Sequence, residues 1–204
     1  MSHAQFLHGV ASGDPTADGI VLWTRATPDA SKPAAEFSTR WTLREASSHD
    51  QIATGEEVAS PDQDWTVHVV ADGLAADTAY EYEFAIDGAV SPLGTFRTLP
   101  TNASRLSFGV FACTKFNAGY FNAYRCLATR SDLHFVVGLG DYVYEASNTP
   151  PATQTPGADI GRDFSPLHEC YTLADYRERY AQYRGDPDAQ ALHQSHAFIL
   201  SLQP

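Results

Sequence analysis

The hydrophobic periodicity of this chain changes class at Pro100, and that switch constrains its fold more than any other feature. Before it, apolar residues recur at every second position in short runs bounded by turn residues. Ile20-Val21-Leu22-Trp23-Thr24-Arg25 is entered through Ser12-Gly13-Asp14-Pro15 and Asp18-Gly19. Residues 37–43 alternate apolar and polar, as a half-buried strand should. Residues 65–70 repeat the alternation with Trp65, Val67 and Val69 on one face. Tyr80, Tyr82, Phe84 and Ile86 then oppose Glu81 and Glu83, and a short strand follows over 94–98. Short strands with no helical period between them predict an antiparallel sandwich.

Two local signals refine that expectation. Leu74-Ala75-Ala76-Asp77-Thr78-Ala79-Tyr80 fits a tyrosine corner, in which a tyrosine at the start of a strand bonds back to upstream backbone. Gly88, Ser91 and Gly94-Thr95-Phe96-Arg97-Thr98 fit the hairpin that ends a fibronectin type III domain.

After Pro100 the strands become more continuously apolar and helical spacing appears. Leu106-Ser107-Phe108-Gly109-Val110-Phe111 reads as a strand, and residues 118–130 as a helix carrying Phe121, Tyr124, Leu127 and Ala128. Residues 133–139 read as a second strand, buried on both faces. Strand–helix–strand in so short a span is a βαβ unit with parallel strands. A loop over 147–170 follows, with the character of a lid. Thr172-Leu173-Ala174-Asp175 predicts a capped helix through Arg184, and Asp186-Pro187-Asp188 predicts another. Phe198-Ile199-Leu200 begins a further strand. The expectation is a β-sandwich over residues 1–100 and the start of an α/β domain over 101–204.

Charge narrows the function classes. Thirteen basic against 25 acidic residues leave a formal net charge of −12. Such a field repels phosphate backbones, and the two lysines and scattered arginines form no basic patch, so no nucleic-acid partner is expected. The longest apolar stretch, 135–139, falls far short of a bilayer crossing, so no stable membrane insertion is expected. Met1-Ser2-His3-Ala4-Gln5 has neither a basic nor an apolar leader region, an expectation of no encoded signal peptide. Cys113, Cys126 and Cys170 are too few for a disulfide framework and leave the compartment open.

Two side chains fall where ligands gather in open α/β sheets, just past the carboxyl ends of parallel strands. These are Cys113 and Asp141, the latter in Gly140-Asp141-Tyr142-Val143-Tyr144-Glu145. An aspartate there suits a multivalent cation, and a nearby thiolate and phenolate favour a softer or higher-valent ion such as iron over magnesium. The plainer alternative is that Gly-Asp after a strand only makes a turn. Asp14 is read as such a turn residue. His168, His193 and His196 are read as solvated or locally bonded, and of Arg177 and Arg179, two apart on a helix, at most one could face a phosphate.

Several motifs in order carry a family resemblance. Gly9-Val10-Ala11-Ser12-Gly13-Asp14-Pro15 with Val21-Leu22-Trp23-Thr24-Arg25 resembles the opening of the PhoD-like alkaline phosphatase (alkaline phosphatase D) family. So do Ala112-Cys113, Gly119-Tyr120-Phe121-Asn122-Ala123-Tyr124, Gly140-Asp141-Tyr142-Val143-Tyr144-Glu145, and Leu173-Ala174-Asp175-Tyr176-Arg177 with Arg179-Tyr180 and Tyr183-Arg184. The resemblance implies a fibronectin-like amino-terminal domain followed by a domain of the calcineurin-like metallophosphoesterase superfamily. It implies phosphate-ester hydrolysis by metal-activated water, on a small-molecule or phospholipid substrate, with iron and calcium as cofactors and export as the usual location of relatives. It assigns Cys113, Asp141 and Tyr144 as metal ligands, with Ala112 standing where the family has serine.

The resemblance also implies later ligands, beginning with an Asp-Asp-His-Glu segment. The sequence holds no Asp-Asp-His, and Ser201-Leu202-Gln203-Pro204 falls where that segment should begin. The expectation is therefore a truncated metallophosphatase domain, inactive or weakly active alone. The alternative is a non-catalytic fibronectin-like binding module with a remnant α/β segment, and a third reading pairs the chain with a separately encoded carboxy-terminal half.

Overall fold

The computed structural model describes residues 4–29, 36–148 and 160–201. The amino-terminal part contains β1 (Ala4–Gln5), β2 (Val10–Gly13), β3 (Gly19–Arg25), β4 (Thr27–Pro28), β5 (Phe37–Glu45), β6 (Gln51–Ala59), β7 (Thr66–Asp72), β8 (Ala79–Ile86), β9 (Ala89–Val90) and β10 (Gly94–Arg97). Then come β11 (Phe108–Phe111), α1 (Asn122–Ala128), β12 (Phe135–Gly138), α2 (Leu173–Arg184), α3 (Pro187–Ser195) and β13 (Ala197–Leu200). One sheet runs β10-β8-β5-β6, all antiparallel, with β9 folded back on β8. Facing it, β2, β3 and β7 form the other half of the sandwich.

Alternation in the sequence explains the core. Ile20, Leu22 and Thr24 of β3, Val67, Val69 and Ala71 of β7, and Tyr80, Tyr82, Phe84 and Ile86 of β8 all turn inward and are buried. Burial of each large apolar side chain contributes about 1.5–3 kcal/mol. The tyrosine corner is present: the Tyr80 hydroxyl accepts the Ala75 N–H at 2.9 Å.

The α/β strands are parallel and in the order β11-β12-β13, with Phe108 opposite Phe135 and Val136 opposite Phe198. Their sheet does not end there. β13 pairs in parallel with β2, Ala197 opposite Ser12, so one mixed six-stranded sheet runs β11-β12-β13-β2-β3-β7 across both halves of the chain. Asp14, with φ of 50°, sits where β2 ends, and its N–H donates to the Phe198 carbonyl at 3.0 Å. Helices α1 and α3 lie against each other, and Tyr124, Leu192 and Ala189 cluster with Val136 and Phe198 of the sheet. Phe135 and Ala197 join the sandwich core.

Several local readings differ in detail. The helix expected over 118–130 is shorter, because Gly119 is fully extended and Phe121 caps α1 instead of entering it. Trp65 precedes β7 at φ 54°. β6 turns only the small residues Ala53, Gly55 and Ala59 inward and leaves Ile52 and Val58 exposed, so its sequence shows no hydrophobic alternation by which to read it. β2 lies within Gly-Asp-Pro turn signals that conceal a strand. The loop expected over 147–170 falls partly outside the described residues. Among the described residues, no helix is long and apolar enough to cross a membrane.

Candidate metal centre

β11 and β12 finish side by side, with Phe111 opposite Gly138. The loops that leave them are joined by backbone hydrogen bonds: Leu139 N–H to Phe111 O at 2.9 Å, Cys113 N–H to Gly140 O at 3.4 Å, and Thr114 N–H to Asp141 O at 2.9 Å. Cys113 and Asp141 both adopt left-handed backbone, at φ of 59° and 50°, and Gly140 lies at 96°. Non-glycine residues rarely take that conformation, and such strain collects at functional sites.

The result brings three acidic side chains to one point. Asp141 Oδ2 accepts from the Cys113 thiol, Sγ to oxygen 3.5 Å, and from the Tyr144 hydroxyl at 3.0 Å. Cys113 is exposed, while Asp141 and Tyr144 are half-buried. The Tyr144 hydroxyl is held protonated well beyond its ordinary range, first by burial and then by hydrogen bonding to, and the charge of, Asp141 and Cys113. A cation placed among the three would relieve that proton retention. The donor set of thiolate, carboxylate and phenolate fits an ion of borderline softness or high valence. It is a partial shell: among the described residues, no three His, Cys, Asp or Glu side chains gather in one place.

Tyr144 is fixed by two groups whose role was not apparent in the sequence. Its N–H donates to the Tyr183 hydroxyl at 3.4 Å, an oxygen that also accepts the Phe116 N–H at 3.0 Å. Its carbonyl accepts from Arg179 Nη1. Arg179 is fully buried and also donates to the carbonyls of Ala146 at 3.2 Å, Ser165 at 3.1 Å, Pro166 at 2.7 Å and His168 at 3.4 Å. Arg179 therefore ties down the described loop backbone on both sides of 149–159 and is not free to meet a phosphate. Arg177 points elsewhere and donates to the Asp62 carbonyl. Arg179 and Tyr183 are four apart on α2, so they share a face, which is the one sequence signal that could have exposed them.

None of the three histidines joins the cluster. His193 is buried, with Nε2 2.6 Å from the Tyr142 hydroxyl and its ring stacked on Phe198 at 3.7 Å. His196 Nε2 reaches the Leu127 carbonyl at 3.2 Å, and His168 is exposed with Nδ1 2.9 Å from the Glu169 carbonyl.

Strand order, left-handed loops and converging donors define an α/β segment with its candidate site beyond the carboxyl ends of two parallel strands, and comparison makes the family specific. Residues 1–100 match the PhoD-like phosphatase N-terminal domain, and residues 108–202 match PhoD-like phosphatase. The chain belongs to the PhoD-like phosphatase family. It is 34% identical over 204 residues to alkaline phosphatase D of Bacillus subtilis (strain 168), an alignment covering 96% of this chain and 34% of that protein. A solved structure titled "Structure of PhoD" superimposes with a TM-score of 0.87 at 33% identity, covering 99% of this chain and 39% of that one. The chain thus spans about a third of the length of the curated relative it matches.

Proposed function

We propose that this chain contributes to phosphate-ester hydrolysis by holding part of a metal centre on Cys113, Asp141 and Tyr144, with iron and calcium as the ions. The observation that supports this reading most is the convergence of the thiol and the phenol on one carboxylate oxygen, at 3.5 and 3.0 Å, beyond the ends of two parallel strands. A cation held there supplies Lewis acidity toward a phosphoryl oxygen. The chain's own residues do the positioning. The left-handed turns at Cys113 and Asp141 bring the two side chains to each other, and the Arg179 and Tyr183 contacts fix the backbone of Tyr144. The substrate class is a phosphate ester, either a small molecule or a phospholipid. With three donors among the described residues, the 204-residue chain alone is expected to turn over p-nitrophenyl phosphate weakly.

Ferric titration of the purified chain tests the reading. A thiolate- and phenolate-to-iron charge-transfer band should appear in the visible and saturate near one equivalent. Cys113→Ser should remove its sulfur component and Tyr144→Phe its phenolate component, each with a melting temperature close to that of the starting protein. Absence of any saturable band, with no iron or calcium retained on elemental analysis, would refute the metal-centre reading and favour a non-catalytic fibronectin-like module.

A further inference from the structure

His193 is a buried polar side chain that supplies no donor to the metal centre. It is 5% exposed on α3, and its ring stacks on Phe198 of β13 with centroids 3.7 Å apart. Its Nδ1 is buried with no hydrogen-bond partner. A leucine would fill the same space without leaving a nitrogen unpaired, a cost that native interiors rarely carry. What the imidazole gains in return is one contact. Its Nε2 lies 2.6 Å from the hydroxyl of Tyr142, the residue that follows Asp141.

Asp141 depends on its neighbours more than an ordinary loop residue does. It is left-handed at φ 50°, directly after Gly140 at 96°, and its Oδ2 accepts from both the Cys113 thiol and the Tyr144 hydroxyl. A non-glycine residue keeps that backbone only where its surroundings over-determine it. The loop after β11 supplies part of the constraint, through Cys113 N–H to Gly140 O and Thr114 N–H to Asp141 O. Arg179 and Tyr183 hold the backbone of Tyr144. Tyr142 lies between these anchors. Its ring centroid is 6.4 Å from that of Phe111 in β11, 6.5 Å from Tyr180 in α2 and 5.7 Å from His193 in α3. Arg184 stands beside the same hydroxyl, with its Nη2 held by the carbonyls of His8 and Val10.

We propose that Tyr142 and His193 are positioning residues for the metal centre. Their hydroxyl–imidazole contact ties the carboxyl-terminal side of Asp141 to α3 and keeps the Asp141 carboxylate between Cys113 and Tyr144. Partners of this kind, one step behind the donors, orient a metal site, and losing one typically costs about 10–100-fold in metal affinity. The proposal rests on the reading of Cys113, Asp141 and Tyr144 as metal ligands. Two residues that work through one contact should act on metal affinity as a unit.

Ferric titration of the full chain, well below its melting temperature, tests this beside amide hydrogen exchange of the metal-free chain. Tyr142→Phe keeps the ring and deletes the hydroxyl. It should weaken iron binding by about tenfold. It should also speed exchange of the Thr114 amide, whose acceptor is the Asp141 carbonyl. His193→Leu should weaken iron binding as well, and His193→Gln, whose amide can stand in for Nε2, should recover most of the loss. In the double variant Tyr142→Phe/His193→Leu no imidazole is left unpaired. Its melting temperature should therefore rise above that of Tyr142→Phe, while its iron affinity stays as weak as in Tyr142→Phe. That split separates positioning from plain stability. Unchanged iron affinity in Tyr142→Phe, or iron affinity that recovers with the melting temperature in the double variant, overturns the proposal. A starting chain with no saturable ferric band refutes the metal-centre reading instead. Thr114 exchange then decides by itself whether Tyr142 positions Asp141, and an unchanged rate in Tyr142→Phe says that it does not.

Discussion

Replacing Arg179 with methionine removes a fully buried guanidinium from five backbone carbonyls while keeping most of the aliphatic stem. Hydrogen bonds from a charged donor are each worth about 1.5–3 kcal/mol, but they cannot simply be added. Removing the charge also removes its desolvation cost, and the exposed parts of the loop regain water. The stacking of the guanidinium carbon 4.1 Å from the Phe164 ring centroid is replaced by a thioether contact of similar worth. Loss of a buried charged hub of this kind costs about 3–5 kcal/mol. For a chain of this size each kcal/mol moves Tm by about 2–4 °C, which gives a fall of about 6–20 °C. Thermal and urea unfolding of Arg179→Met followed by circular dichroism measures this, and Arg179→Lys should recover only part of the loss, since an ammonium has three donors. The same variant should lose the phenolate-to-iron band, because Tyr144 is no longer held through its carbonyl. A Met variant within about 1 kcal/mol of the starting protein, at unchanged urea dependence, would show that the loop does not depend on Arg179.

Other perturbations test separate parts of the structure. Tyr80→Phe deletes the hydroxyl that accepts the Ala75 N–H and should destabilise by about 1–3 kcal/mol; an unchanged urea midpoint would mean the tyrosine corner contributes nothing here. Gly94→Ala places a Cβ 2.3 Å from Cζ of the fully buried Tyr82 and should cost about 1–3 kcal/mol on thermal melting. Stability should also fall with pH through His8, whose folded-state value is pushed down from 6.5 to about 4 by burial and then by Arg25 and Arg184. The neutral ring is favoured by folding, so its contribution is complete above about pH 6.5 and is lost as the unfolded chain alone takes the proton on acidification toward about pH 4. In His8→Gln the urea midpoint should depend less steeply on pH across that window; an identical slope would remove His8 from the account.

What could be read from the sequence follows from how local each signal is. Tyr80 and the β8 alternation announced themselves because corner and strand are defined by neighbours a few residues away. The capping box at Thr172 and Asp175 likewise lies within one turn, and both reciprocal contacts are present. Cys113 and Asp141 were placed by the rule that parallel strands end at the functional edge, whereas Tyr144 came only from resemblance. β6 stayed hidden because its inward positions are the small residues Ala53, Gly55 and Ala59 while Ile52 and Val58 face solvent, so hydrophobicity does not mark its buried face. Arg179 is legible in the sequence only as a candidate phosphate contact, and its structural role stayed hidden because its five carbonyl acceptors are scattered along the preceding loop. The merging of the two halves into one sheet was equally invisible, since the pairing of β13 with β2 joins segments that nothing local connects.

That last pairing bears on how the chain acquires its structure during synthesis. Val10–Gly13 emerges among the earliest segments, yet its partner strand Ala197–Leu200 is among the last of the described residues to be made. Until then one edge of the nascent sandwich offers unpaired backbone to any other strand in the cell. Contacts between such distant segments are slow to form, because loop closure must come before they stabilise anything. The fibronectin-like part is therefore a domain that can collapse early and finish late, with a window for chaperones or misassembly set by the time needed to translate the α/β segment.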